Sequence, residues 1–164
     1  MSEFLKQFGK DGIYHKIVKL KNPSASEEEI SIGLDTNDPN VARAAASHPN
    51  ATKEHLDKAI NYSSSQWSWG VRARAASHPN ATKEHLDQAI KDSHFKVREA
   101  AASHPNATKE HLDRAVGDNK YGGELVRRAA AGNPNATKEH LDKALNDMDD
   151  RVVNAAKQNL ESRK

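Results

Sequence analysis

The stretch Ser47-His-Pro-Asn-Ala-Thr-Lys-Glu-His-Leu-Asp57 decides the fold, because it returns unchanged at residues 77–87 and 103–113 and nearly unchanged at 132–142. Self-similarity at a period of roughly 20 to 50 residues marks an array of stacked supersecondary units. Pro23, Pro49, Pro79, Pro105 and Pro134 are spaced 26, 30, 26 and 29 residues apart. Val41, Val71, Val97, Val126 and Val152 give a second set of marks, and each of the first four lies 8 residues before the next proline. The length variation therefore falls between the leucine segment and the valine. The unit is 26 residues, with insertions of four and three.

Each unit reads as two short helices. Thr52 is an N-cap, Lys53 to Ile60 follows, and Leu56, Ala59 and Ile60 recur at helical spacing. Ser26 with Glu29 makes a capping box in the earliest unit. In the second helix Val41, Ala44 and Ala45 form the apolar stripe, and His48-Pro49 stops it. Helices of about eight residues are unstable alone in water, so these must bury their stripes against neighbouring units. The expected fold is all-α: a right-handed α-solenoid of about five two-helix repeats over residues 22–164. A helical cap over residues 1–21 precedes it, and a C-terminal capping helix ends it.

Residues 1–21 do not match the repeat; Phe4, Leu5 and Phe8 form one apolar patch and Ile13, Ile17 and Leu20 a second. They are expected to cover the open seam of the first unit, with a partner-docking helix as the rival reading. In that unit Ile30 is taken to replace the histidine column, and Asp38-Pro39 starts the second helix.

The run Pro-Asn-Ala-Thr-Lys-Glu-His-Leu-Asp-Lys-Ala-Ile followed by Val-Arg-x-Ala-Ala-Ala resembles the leucine-rich-repeat-variant family, and more loosely HEAT-like repeats. Residues 97–102 and 126–131 match most clearly. The resemblance covers about residues 22–160 and implies a binding scaffold rather than an activity. Some variant-repeat proteins carry a cysteine-ligated iron–sulfur cluster; this chain has no cysteine, so that feature does not carry over.

The absence of cysteine fits a reducing compartment and excludes disulfides and thiolate metal sites. No apolar run approaches membrane-spanning length, and the first residues lack the apolar core of a signal peptide. A cytoplasmic protein of one domain, without membrane partners, is the expectation. The net charge of +2 supplies no strong field toward polyanions.

Seven of the nine histidines fall in two columns: His48, His78, His104, and His55, His85, His111, His140. Without cysteine or a paired His-x-x-x-His, they read as structural, with no metal and no cofactor. The Asn-Ala-Thr triplets at Asn50, Asn80, Asn106 and Asn135 fit N-glycosylation, but capping by the threonine explains them without sugar. Arg72, Arg98 and Arg127 follow the valine, and Asp57, Asp87, Asp113 and Asp142 follow the leucine. Both flank their stripes, so ion-pair ladders between units are expected, with phosphate contacts as the rival.

No phosphate loop or nucleophile motif supports catalysis. Function should lie where units differ. Tyr62, Trp67, Trp69, Phe95 and Tyr121 all occur in the helix-to-helix connections and are expected to emerge along one edge. Trp and Tyr are enriched in binding hot spots. The favoured reading is a non-enzymatic scaffold, adaptor- or inhibitor-like, with Trp67 and Trp69 as anchors for another protein. The varying position two after the valine (Arg43, Ala73, Glu99, Arg128, Asn154) tunes a second face. The alternative is a nucleic-acid binder using Arg43, Arg72, Arg74, Arg98, Arg127 and Arg128 on phosphates and the tryptophans on bases; DNA-repair glycosylases built from HEAT-like repeats give it precedent. A structural part of a larger, for example viral, assembly is a third reading.

Overall fold

The computed structural model describes residues 12–164, and every regular element among them is an α-helix. Residues 1–11, with Phe4, Leu5 and Phe8 of the expected cap, lie outside the described residues, as does the Tyr14 side chain. The chain divides into two compact units, one ending at Asn80 and the other spanning Ala81–Lys164.

The first unit holds α1 (Gly12–Leu20), α2 (Glu27–Leu34), α3 (Pro39–Ala46), α4 (Lys53–Ile60) and α5 (Trp69–Ala76). Within it α2 packs on α4, α3 packs on α5, and α1 lies against α2 and α3. The second unit holds α6 (Lys83–Ala89), α7 (Phe95–Ser103), α8 (Lys109–Ala115), α9 (Gly123–Gly132), α10 (Lys138–Leu145) and α11 (Asp150–Glu161). There α9 packs between α7 and α11, and α6, α8 and α10 each lie on the second helix of their own repeat.

The first helices start as the capping signals require, with one addition. The N–H groups of Thr52, Thr82, Thr108 and Thr137 donate to Nδ1 of His55, His85, His111 and His140 at 3.0, 2.9, 2.9 and 2.9 Å. Histidine thus takes the third-position role that glutamate has in an ordinary capping box. Glu29 does the same for Ser26 at 3.0 Å. Glu29, not Ile30, therefore stands in the histidine column. Ile30 belongs to the leucine column, fully buried with Leu56, Leu86, Leu112 and Leu141.

The second helices bury a stripe different from the expected one. Val41, Ala42, Ala45 and Ala46 are buried, while Ala44 is half-buried. Val71, Ala75 and Ala76 repeat this, as do Val126, Ala130 and Ala131. At 100° per residue, positions one, four and five after the valine lie to one side of it, and position three falls on the other. That third position is free to change chemistry.

The other histidine column links repeats. Nδ1 of His48, His78 and His104 accepts from the N–H of Asn50, Asn80 and Asn106, each at 3.1 Å. Nε2 of His48 donates to Asn22 O and that of His78 to His48 O, both at 2.9 Å. An accepting Nδ1 fixes the ring proton on Nε2. In the second unit Asn133 and Asn159 stand where the pattern calls for histidine. The Asn133 amide donates to Ala102 O and His104 O and accepts from Asn135 N–H; that of Asn159 donates to Ala131 O and Asn133 O. Asn22 accepts from Ser24 N–H in the same manner, at 3.1 Å. Asn22-Pro23 thus shares the turn of the repeat, while the column of the buried valines is held in α1 by the exposed His15.

Candidate binding surfaces

The arginine column is consumed by the fold. Arg98 is 1% exposed. Its Nε donates to Asp118 Oδ2 at 2.6 Å, Nη1 to Asp92 O and Ser93 O, and Nη2 to Tyr121 O. Arg127 repeats the pattern, with Nε on Asp147 Oδ2 at 2.6 Å and Nη1 on Asp118 O at 2.8 Å. Arg72, half-buried, donates to Tyr62 O at 3.1 Å. Hydrogen bonding to Arg127 holds the Asp147 carboxyl below its ordinary range and raises the guanidinium in return.

The expected pairing of arginine with the aspartates after the leucine is corrected by this geometry. The arginine partners stand two residues beyond the end of the leucine helix stripe, at Asp118 and Asp147. Asp87 and Asp113 instead accept from Lys83 and Lys109 one turn earlier, at 2.8 and 3.0 Å. They also accept from His111 and His140 of the following repeat, at 2.9 and 2.8 Å. The lysine hydrogen bond first, and the histidine after it, lower both carboxyls. His55 reaches Ser31 Oγ, the residue that holds the aspartate position in the first repeat, at 2.9 Å.

The connection aromatics do not form a single exposed set. Tyr62 is 8% exposed, and its hydroxyl donates to Thr36 O at 2.8 Å. It stands in the column of Asp92, Asp118 and Asp147, and the preceding repeat has Ala42 where the second, third and fourth repeats have Arg72, Arg98 and Arg127. Tyrosine replaces the carboxylate where the preceding repeat offers no guanidinium to its side chain. It belongs to the inter-repeat link and leaves the partner-binding set.

Trp67 is 59% exposed, on a turn tied by Ser65 N–H to Ser68 Oγ (2.9 Å) and Trp67 N–H to Ser65 Oγ (3.2 Å). Trp69 opens α5 half-buried, and the two indoles line a groove with Pro39, Asn40 and exposed Arg43. In the second unit Tyr121 is 88% exposed, while half-buried Phe95 meets its ring edge-on at 5.8 Å between centroids. Gly122 makes this turn possible. Its φ is +71°, and a Cβ there would fall 2.4 Å from Phe95 Cγ.

Arg43, Arg74 and Arg128 are exposed, and Glu99, half-buried, lies 3.8 Å from Arg128 Nη2. Met148, fully exposed in the fifth connection, is an apolar side chain that the focus on aromatics passes over. Among the described residues no group of three or more His, Cys, Asp or Glu is placed to hold a metal ion, and no helix is long and apolar enough to cross a membrane. Compared with known proteins, the chain matches no family model, no curated protein and no solved structure.

Proposed function

We propose that this chain is a non-enzymatic binding module: a right-handed solenoid of five two-helix repeats, akin to leucine-rich-repeat-variant and HEAT-like arrays. It would engage another protein through its inserted connections. One observation carries the reading. The two lengthened connections expose Trp67 (59%) and Tyr121 (88%), while the repeated polar residues are engaged in hydrogen bonds that hold the fold. Arg98 fixes the Tyr121 carbonyl and Ser65 fixes the Trp67 amide, so both rings stand on ordered backbone. Preordered aromatic anchors lose little entropy on binding.

The nucleic-acid alternative is weakened by the burial of Arg98 and the carboxylate partner of Arg127, which leave those cations unavailable to phosphates. Affinity capture from native lysate, split into nuclease-treated and untreated halves, tests the class of partner. A stoichiometric protein that survives nuclease and high salt supports the protein-binding reading. Recovery of nucleic acid, with accompanying proteins lost on digestion, overturns it.

A further inference from the structure

Around α1, α3 and α5 the first unit carries positive charge that has no ion-pair partner among the described residues. Arg43 on α3, Arg74 on α5 and Lys21 just beyond α1 line one open groove of about 580 Å³, and among the described residues no carboxylate lines it with them. All three are exposed, and none makes an ion pair among the described residues. The Arg43 guanidinium donates to the neutral amide of Asn40 at 3.1 Å. Ile17, Leu20, Ala44 and Pro49 supply the apolar part of its lining.

Comparison with the other repeats shows that this charge is not a requirement of the fold. Arg74 stands three residues after the valine, where the other repeats have Ala44, Ala100, Ala129 and Ala155. The counterpart of Arg43 in the third repeat is Glu99, which accepts from Lys96 at 2.8 Å and neighbours Arg128 at 3.8 Å. In the second unit a carboxylate, Glu99, thus stands among the cations at this position, as none does in the first among the described residues.

We propose that this groove binds an acidic peptide segment of a partner protein. Its carboxylates would pair with Arg43, Arg74 and Lys21, and an apolar side chain would rest against Ile17 and Pro49. Guanidinium groups recognise carboxylates by paired hydrogen bonds, and an open cationic groove raises the local concentration of an anionic ligand. Among the described residues no Trp, Tyr or Phe lines this groove, so Ile17, Leu20, Ala44 and Pro49 offer contacts to aliphatic side chains but no stacking platform for bases. The site goes beyond the aromatic edge and stands whether or not Trp67 and Tyr121 bind anything.

The test is an amide NMR titration of the full chain with three probes: a capped peptide of about ten residues, mostly Glu with two Leu; its Gln counterpart; and a thymidine oligonucleotide of similar length. The Glu peptide should shift the amides of Arg43, Ala44, Ser47 and Arg74 and bind at least tenfold more tightly than the Gln peptide. Arg74→Ala, which installs the residue of the other repeats, and Arg43→Glu should each weaken it at least fivefold with unchanged helical circular dichroism. Equal affinity for the Gln peptide, no shifts in the groove, or indifference to both substitutions would overturn the proposal. Tighter binding of the oligonucleotide would overturn it too, and assign the groove to nucleic acid.

Discussion

Arg98 Nε lies 2.6 Å from Asp118 Oδ2 across two successive repeats, with the side chains 1% and 7% exposed. Truncating one partner of a buried pair strands the other charge without water. Asp118→Ala should therefore cost roughly 3–5 kcal/mol, far more than loss of an exposed ion pair. Urea denaturation reads the difference; a cost no larger than that of Asp57→Ala, whose pair with Lys53 is exposed, would show that the link carries no weight.

Tyr62 and Ala42 make the same link by other means. Tyr62→Phe removes only the hydroxyl that donates to Thr36 O, and should cost about 1 kcal/mol. Ala42→Arg and Tyr62→Asp should each destabilise alone, the first adding an unpaired cation and the second an unpaired anion. Combined, they rebuild the pair seen at Arg98 and Asp118. A double-mutant cycle should give a favourable coupling of at least about 1 kcal/mol; strict additivity would mean that the columns are not equivalent.

Asp147 and Asp149 give the fold an acid limit. Hydrogen bonding to Arg127 lowers Asp147, and the Arg151 side chain followed by its backbone N–H lowers Asp149 to about 2. A carboxyl lowered in the folded state contributes stability above its unfolded value, near 4, and loses it as pH falls through the folded value. The stability gap between wild type and Asp147→Asn should therefore be full at pH 5 and shrink steadily toward pH 2. A gap independent of pH over that window would contradict the pairing.

Much of this was legible in the sequence because the internal repeats serve as their own alignment. The proline and valine spacings locate both helices of each repeat, and the Ser26 and Thr52 caps locate their starts. What was not legible lies between repeats. Arg98 meets a residue 20 positions on, and no periodicity of a single helix announces that contact. A signal existed all the same: Thr36 and Tyr62 break the Asp92, Asp118, Asp147 column, and the first repeat, whose arginine would have to meet Tyr62, has Ala42 in that place. Aromatic type alone marks Tyr62 as a surface anchor, whereas its column marks it as a link between repeats. The stripe is ambiguous at Ala44 for a related reason, since Ala42, Ala44, Ala45 and Ala46 together go round the helix and hide which of them face inward.

The histidine column at helix ends works through hydrogen bonds that an asparagine also makes, as Asn133 and Asn159 demonstrate. His104→Asn should hold stability within about 1 kcal/mol of wild type, whereas His104→Ala strands the Asn106 N–H and should cost roughly 1–3 kcal/mol. Equal losses for the two variants would mean that the imidazole contributes something the amide cannot.

On the proposed function, the repeated polar columns hold the fold while the residues that depart from them bind. Quantitative capture of the partner from nuclease-treated lysate, run in parallel on wild type, His104→Asn, Trp67→Ala and Tyr121→Ala, tests it most directly. The column variant should retain the partner at the wild-type level, and at least one aromatic variant should lose it tenfold or more with helical content unchanged. Full retention by both aromatic variants, or loss confined to His104→Asn, would contradict the claim.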